Sequence, residues 1–585
     1  MASAAGRRRF QLILVKPSRY DDDGYVVQWW RSVMPSNSLA CLYGIARDAA
    51  ERRVLGPDVD IDIEAIDEIN TAVRVDEVIA RIRAAGGFGM VGLVGVQSNQ
   101  FPRAVDIARP LRAAGVPVVI GGFHVSGCLA MLKETPPDIQ EALDLGISLF
   151  AGEAEGRLDR VLQDVAAGTL APVYDYLDDL PSVVDVPTPA LPPEVLARTL
   201  NQHSSFDAGR GCPYQCSFCT IINVQGRQSR RRSPDDVERL IRQSLASGSG
   251  RFFITDDNFA RNKDWEPILD RIIAMREAEG LNLRFSIQVD ALAYKIPSFV
   301  EKAARAGVRQ VFIGLENINP ANLLAAKKRQ NKITEYREML LAWKRAKVVT
   351  YAGYILGFPN DTPESIRADI EIIKAELPLD IIGFYFLTPL PGSEDHKVLA
   401  EKGVWMDPDM NKYDLEHCVT GHATMSREAW IGAYRDAWTT YYTPAHIETI
   451  MRRGAATRTV LARLVTMLFV YAEVMAVENV HPLQGGLLRI KRRRDRRPSV
   501  PIEPAWRFYP KFAVETVWKQ AVLTKRLASL LLLYARIRRD PNRHAYLDTA
   551  LGADAGEDGL ALLTHTQEAR DAVAHSRKLA ALGAR

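Results

Sequence analysis

The sequence has few cysteines, no long apolar run and no chain-wide excess of one charge. Six cysteines in 585 residues are too few for a disulfide-stapled secreted scaffold. No stretch reaches the roughly 20 clean apolar residues that a bilayer span needs. The longest runs, 464–472 and 527–535, are bounded by Arg463 and Glu473 and by Arg526 and Arg536. Arg7, Arg8 and Arg9 precede only six residues, 10–15, with Gln11 among them, which is short for the apolar core of a secretion signal. The expected setting is reducing and cytoplasmic. With 75 basic and 71 acidic side chains the net charge is +4, so nothing global points to nucleic acid. At 47% hydrophobic and 25% charged, the composition excludes a collagen-like or mostly disordered chain. The charge is unevenly placed, however. Residues 451–548 hold 20 Lys and Arg against 7 Asp and Glu, which leaves the remainder at −9 and separates a basic tail from an acidic-leaning body.

What is present is alternation. In residues 1–180, apolar runs at 12–15, 61–66, 90–96, 116–120 and 147–150 are separated by helical periods at 39–53, 75–85, 104–114 and 156–166. Parallel strands require such crossovers, so this segment is expected to be a Rossmann-like, doubly wound α/β sheet. A Pro-rich linker is expected over 181–200. Over 201–415 a second series runs 206–208, 252–254, 283–287, 311–315, 351–356 and 381–387. Six such units are too few for an eight-stranded barrel and suit a partial (β/α)6 TIM-like barrel. Residues 416–585 are expected to be a helical C-terminal region. Ser426 before an acidic first turn marks one helix start. Trp430, Tyr434, Trp438, Tyr441 and Tyr442 recur at helical steps, as a core stripe or a channel wall.

Ligands of α/β sheets lie beyond the carboxyl ends of the strands. In the first segment those ends carry Ser98, Gly121, Gly122, His124, Gly152 and Glu153, where glycine permits close approach of a flat ligand. In the second they carry Gly211-Cys212-Pro213-Tyr214-Gln215-Cys216-Ser217-Phe218-Cys219, then Asp256-Asp257-Asn258, Gln288-Val289-Asp290, Gly314-Leu315-Glu316 and Gly357-Phe358-Pro359. Three thiolates spaced C-x3-C-x2-C can hold three irons of a 4Fe–4S cluster and leave the fourth open. Zinc needs a fourth ligand, for which His203 is the one histidine close in sequence, and a disulfide would strand an odd thiol.

The cysteine motif, with Phe218 before its last cysteine, resembles the radical S-adenosylmethionine superfamily. Residues 256–259, 312–316, 354–358 and 388–392 resemble strand-end motifs of its branch with an N-terminal cobalamin-binding-like domain, and 12–17 and 121–124 resemble that domain. The likeness spans roughly residues 10–440. It implies that Cys212, Cys216 and Cys219 hold the cluster as metal ligands. It also implies that S-adenosylmethionine chelates the open iron and is cleaved reductively to a 5′-deoxyadenosyl radical, with an external one-electron reductant. It places Asp256, Asp257 and Asn258 near the methionine amino group, Ser286 and Gln288 near its carboxylate or the ribose, and Glu316 on a ribose hydroxyl. Arg232 resembles a family arginine beyond the cluster, or belongs to a solvated basic loop. Cobalamin domains of one type present a histidine after the first strand; here that loop is Ser18-Arg19-Tyr20-Asp21-Asp22-Asp23-Gly24. The resemblance therefore implies cobalamin without a protein histidine on cobalt, and gives His124 a contact with the cofactor's tail or phosphate.

The leading expectation is a cobalamin-dependent methyltransferase acting on an unactivated carbon. The alternatives are radical oxidation, cyclisation or carbon–carbon bond formation, and, in a different class, a non-catalytic iron–sulfur electron carrier. The catalytic residues beyond the cofactor contacts are not readable. The expected partner is a small-molecule substrate, with a lipid or isoprenoid suggested by the basic, amphipathic tail, and no nucleic acid. Lys491 to Arg497, between apolar helices, suggests peripheral contact with the inner face of a membrane through 451–548; a solvated basic loop is the alternative.

Overall fold

The protein is described here from a computed structural model, which covers residues 7–200, 203–481, 484–552 and 574. Strand β1, Arg8–Lys16, is buried along its central six residues, as expected of a strand covered on both faces. It pairs in parallel with β2, Val59–Asp67, on one side and β3, Gly89–Leu93, on the other. Beyond β3 follow β4, Val118–Gly121, β5, Ser148–Ala151, and β6, Val173–Asp175, all parallel. The order β2-β1-β3-β4-β5-β6 reverses direction at β1, which makes the sheet doubly wound. Strand β6 escapes the sequence pattern because only Tyr174 of its three residues is buried. Helix α1, Asn37–Glu51, starts where Ser36 Oγ accepts the Leu39 N–H. Helix α2, Phe123–Met131, was not legible as a helix, since its mostly apolar residues show no amphipathic period.

The second sheet runs β7, Ser204–Phe206, β8, Arg251–Ile254, β9, Arg284–Asp290, β10, Val308–Glu316, β11, Val349–Leu356, and β12, Ile381–Phe386. Each strand pairs in parallel with the next in sequence, the topology of a partial barrel. The register slips between Ile313 and Glu316, and Glu316 takes a left-handed φ of 63°. This bulge re-aims the end of β10.

Helices α3, Arg427–Tyr441, α4, Pro444–Ala456, and α5, Leu461–Leu468, close the barrel's side. Ser426 Oγ caps α3 through the Ala429 N–H. The aromatic stripe is core: Tyr434 stacks on Phe386 at 4.5 Å and Trp438 meets Phe384 edge-on at 5.3 Å. The C-terminal region is not purely helical. Strand Gly486–Ile490 pairs antiparallel with Gln28–Ser32 of the first segment. The following run, 491–497, is not a free basic loop. Arg489 donates to Asp21 at 2.9 Å, Lys491 lies 3.7 Å from Asp21 and 3.6 Å from Glu515, and Arg497 grips both oxygens of Asp409 at 2.7 and 2.9 Å. Acids of the N-terminal loop and the post-barrel segment absorb much of this charge. Helix α6, Ala505–Arg539, follows. Among the described residues no helix is long and apolar enough to cross a membrane.

Candidate active site

The cysteine loop hangs between two short elements. After β7 the chain makes a ribbon, Gly209–Arg210 against Arg230–Arg231, and residues 211–219 fill its mouth. All three thiols are free; Cys216 is buried and Cys212 and Cys219 are half-buried. Burial raises Cys212 above its ordinary value and Cys219 to about 12. Such thiols give up their protons only when positive charge arrives, which is the exchange that metal binding performs. Gln330 Nε2 donates to Cys216 Sγ at 3.6 Å. His203 precedes β7, whereas the thiols follow it, so the strand separates His203 from them and removes the fourth zinc ligand. Among the described residues no three His, Cys, Asp or Glu side chains form a single-ion site. Three thiols with no fourth protein donor fit a 4Fe–4S cluster with one open iron.

The carboxylates around this loop divide by use. Asp256 is buried, and its Oδ1 accepts the N–H groups of Ala208 at 2.6 Å and Gly209 at 2.8 Å. Burial pushes it up to about 7. It braces the ribbon, so it is not free to meet an ammonium as expected. Asn258 bridges to Asp290 through Nδ2 at 2.9 Å and its side chain also hydrogen-bonds the Cys212 thiol. Asp257 is half-buried and accepts the Gly211 N–H at 3.1 Å; burial raises it to about 6. It alone of the three keeps a carboxylate open beside Cys212. Ser286 and Gln288 alternate with Phe285 and Ile287, which sit in the core, so both face into the barrel. Gln288 Nε2 donates to the Asp256 carbonyl at 3.2 Å. Glu316 is ion-paired with Lys328, whose ammonium lies 5.8 Å over the Phe218 ring. Lys328 and Gln330 gave no sequence signal, since they come from a loop rather than a strand end.

At the edge of the first sheet, Gly121, Gly122, Gly152 and Glu153 line a cavity of about 190 Å³. Ser98 and His124 are not on it. They are buried and paired internally, His124 Nδ1 with Ser98 Oγ at 3.2 Å and Nε2 with Asp138 Oδ2 at 2.8 Å. The two pairings fix the ring against the Phe101 face rather than toward a ligand. A Cβ on Gly122, whose φ is 147°, would stand 2.2 Å from the Val96 nitrogen. Glycine there answers a close backbone approach rather than a ligand. Gly92 on β3 is different: its Cβ would meet Leu14 Cδ2 at 3.1 Å and then open cavity.

The far wall of this cavity belongs to the barrel: Arg210, Val224 and Gln225. Arg210 reaches Glu153 Oε2 and Glu155 Oε1, each at 2.6 Å, and Asp207 at 3.0 Å. Arg230 also binds Glu153. Arg232 is buried and donates to the Asp207 carbonyl at 2.7 Å, so it is a packing residue and not part of a solvated loop. Against burial, Arg210 and Arg232 hold Asp207 down to about 2. The clamp ties the two carboxyl edges face to face. Two further cavities open nearby. An apolar one of about 320 Å³ runs from Ser217 past Phe358 and Leu387 to Trp430, whose buried Nε1 has no partner. A polar one of about 400 Å³ lies under the C-terminal helices, walled by Arg19, Glu416 and His417, whose charges pair with one another or with Asp414 and Asp22.

Fold and site together define an iron–sulfur protein with a three-thiolate loop at the mouth of a partial barrel, faced by a doubly wound sheet. Residues 208–373 match the family model of the Radical SAM superfamily, so this segment is a radical SAM domain, and the chain resembles the branch with a cobalamin-binding-like domain ahead of the barrel. It is 27% identical over 361 residues to bacteriochlorophyllide d C-8(2)-methyltransferase of Chlorobaculum tepidum, covering 58% of this chain and 74% of that protein. It is 26% identical over 311 residues to hopanoid C-2 methylase of Rhodopseudomonas palustris, covering 52% and 57%. In fold it is similar to the radical S-adenosylmethionine methyltransferase TsrM of Kitasatospora setae, solved with cobalamin and a [4Fe-4S] cluster. The TM-score is 0.55 at 17% identity, over 75% of this chain and 90% of that one.

Proposed function

We propose that the protein is a cobalamin-dependent radical methyltransferase that adds a methyl group to an unactivated carbon of an apolar small molecule. The observation that carries this reading is the shared cavity. The glycine-bearing face of the first sheet forms one wall, and Arg210, Val224 and Gln225, which flank the cysteine loop in sequence, form the other, so a flat cofactor on the sheet wall would lie next to the segment that carries the cluster loop. The open face at Gly92, where no side chain projects, suits a corrin or its nucleotide tail. The loop after β1 contains no histidine, and His124 is committed to Ser98 and Asp138, so neither would ligate cobalt.

When bound, the cluster supplies one electron to S-adenosylmethionine and the corrin carries the methyl group. This chain's residues position both. Cys212, Cys216 and Cys219 hold the iron, Asp257 offers its carboxylate to the methionine ammonium, and Phe218 gives a ring face beside it. Ser286 and Gln288 present polar groups from inside the barrel. Glu316, steadied by Lys328, would meet a ribose hydroxyl. Two relatives bear names for methylation of a tetrapyrrole and of a hopanoid, which supports a polycyclic or isoprenoid substrate, with an external one-electron reductant. Peripheral membrane contact through 451–548 belongs to the same reading.

The test is anaerobic turnover with cobalamin, S-adenosylmethionine and a low-potential reductant, followed by mass spectrometry. Methylation gives a product heavier by about 14 Da, together with both 5′-deoxyadenosine and S-adenosylhomocysteine. Deoxyadenosine without homocysteine product and without mass gain would leave oxidation or cyclisation in its place.

A further inference from the structure

We propose that the outward face of α6 is a docking surface for an anionic lipid bilayer. Its inward face is accounted for: Phe508, Leu523, Leu530 and Ile537 are buried, and the helix packs on α4 and α5. The outward face is not polar, as a solvated helix face would be. Trp506 is 78% exposed, Val514 and Val517 70%, Trp518 59% and Leu532 73%. At 100° per residue these side chains fall within one stripe opposite the buried one, from 506 to 532, about 39 Å long.

The charges around this stripe choose the occupant. Arg507, Lys511, Lys525, Arg538 and Arg539 are exposed, whereas Arg536 is paired with Glu448 of α4. The helix's one acid, Glu515, is turned inward to Lys519 at 2.8 Å and Lys491 at 3.6 Å. The free face therefore carries apolar and aromatic groups with cations and no anion. A second copy meeting this face across a two-fold axis would set cations against cations. An anionic headgroup layer meets the cations while the indoles and branched side chains enter the acyl boundary. The basic run 491–497, largely paired within the protein, is a minor contributor; only Arg492 and Arg494 in it are exposed.

Cosedimentation of the full chain, loaded with its cluster, with phosphatidylcholine vesicles containing or lacking phosphatidylglycerol tests this. Binding is expected to the anionic vesicles, at least tenfold tighter than to neutral ones, and to weaken as salt rises. Val517→Glu and Trp518→Glu, both at exposed positions, should each lower it tenfold or more while iron content and S-adenosylmethionine cleavage stay unchanged. Lys525→Glu with Arg539→Glu, both at exposed positions, should remove the preference for anionic lipid. Four outcomes would overturn the proposal: no binding by the full chain, equal binding to neutral vesicles, binding that survives Val517→Glu, or a dimer in sedimentation velocity that Val517→Glu dissolves.

Discussion

The barrel and the N-terminal sheet meet across the Arg210 clamp but furnish their carboxyl edges differently. The barrel's edge is crowded with polar side chains, and most are already engaged. Asp256 holds two backbone N–H groups, Asn258 holds Asp290, and Glu316 is steadied by Lys328; the three thiols, Asp257, Ser286, Gln288 and Glu316 are what remain to face ligands. The edge of the first sheet offers space. Its polar pair, Ser98 and His124, is folded into the interior, and Glu153 is given to Arg210 and Arg230, so bare backbone at Gly92 lines the opening. One edge supplies donors for a metal; the other supplies a surface on which a large ring can lie.

The comparison is broken most completely at the thiols. Replacing Cys212, Cys216 and Cys219 together with alanine should abolish both iron loading and reductive cleavage of S-adenosylmethionine. Cys41→Ala, Cys128→Ala and Cys418→Ala should each keep about four irons per chain. Iron and sulfide analysis with chromatography of 5′-deoxyadenosine decides it, and a full cluster in the triple variant would remove the ligand role from this edge.

Next in size is the clamp. Arg210→Ala leaves Glu155 buried without its cation, while Arg230 still holds Glu153, a loss on the order of 3–5 kcal/mol. Urea unfolding should show it as a lowered midpoint, with the two sheets separating before either melts. An unchanged midpoint would mean that the edges are held together by packing alone.

The space on the first edge is sharpened by Gly92→Val. The added methyls enter the cavity past a flexible Leu14, so cobalamin affinity should fall about tenfold or more, roughly 1.4 kcal/mol, with the cluster still loaded. Gly122→Val should instead disturb the sheet itself, because its Cβ meets the Val96 backbone. Retention of cobalamin by Gly92→Val would move the cofactor off this surface.

The smallest effect is a pH dependence. His417 joins the two halves, with Nε2 3.1 Å from Asp22 and Nδ1 2.9 Å from Asp414. Burial opposes its charge, but the two carboxylates outweigh burial and raise it from 6.5 to about 10. A raised histidine stabilises fully below about 6.5 and loses that contribution as pH climbs through about 10. Wild type should therefore lose on the order of 1–2 kcal/mol across that window relative to His417→Gln, after allowance for solvent screening. Parallel pH profiles of the two melting temperatures would show that the tether contributes nothing.

The sequence by itself determined the order of elements and the cluster loop. Parallel strands must be apolar and separated by crossovers, so eleven of the twelve sheet strands stand out as short runs, and Val173–Asp175 does not because two of its three residues face solvent. The cysteine spacing is local, and one loop carries all three thiols. The side-chain partners were decided only in three dimensions. Whether Asp256 binds substrate or backbone depends on which N–H groups the ribbon 209–210 brings beside it. Whether 491–497 is a free cationic loop depends on Asp21 and Asp409, which lie hundreds and tens of residues away. The same holds for α6: its apolar residues are spread over more than one face, and only the packing of α4 and α5 against one side settles which are core and which are left outward.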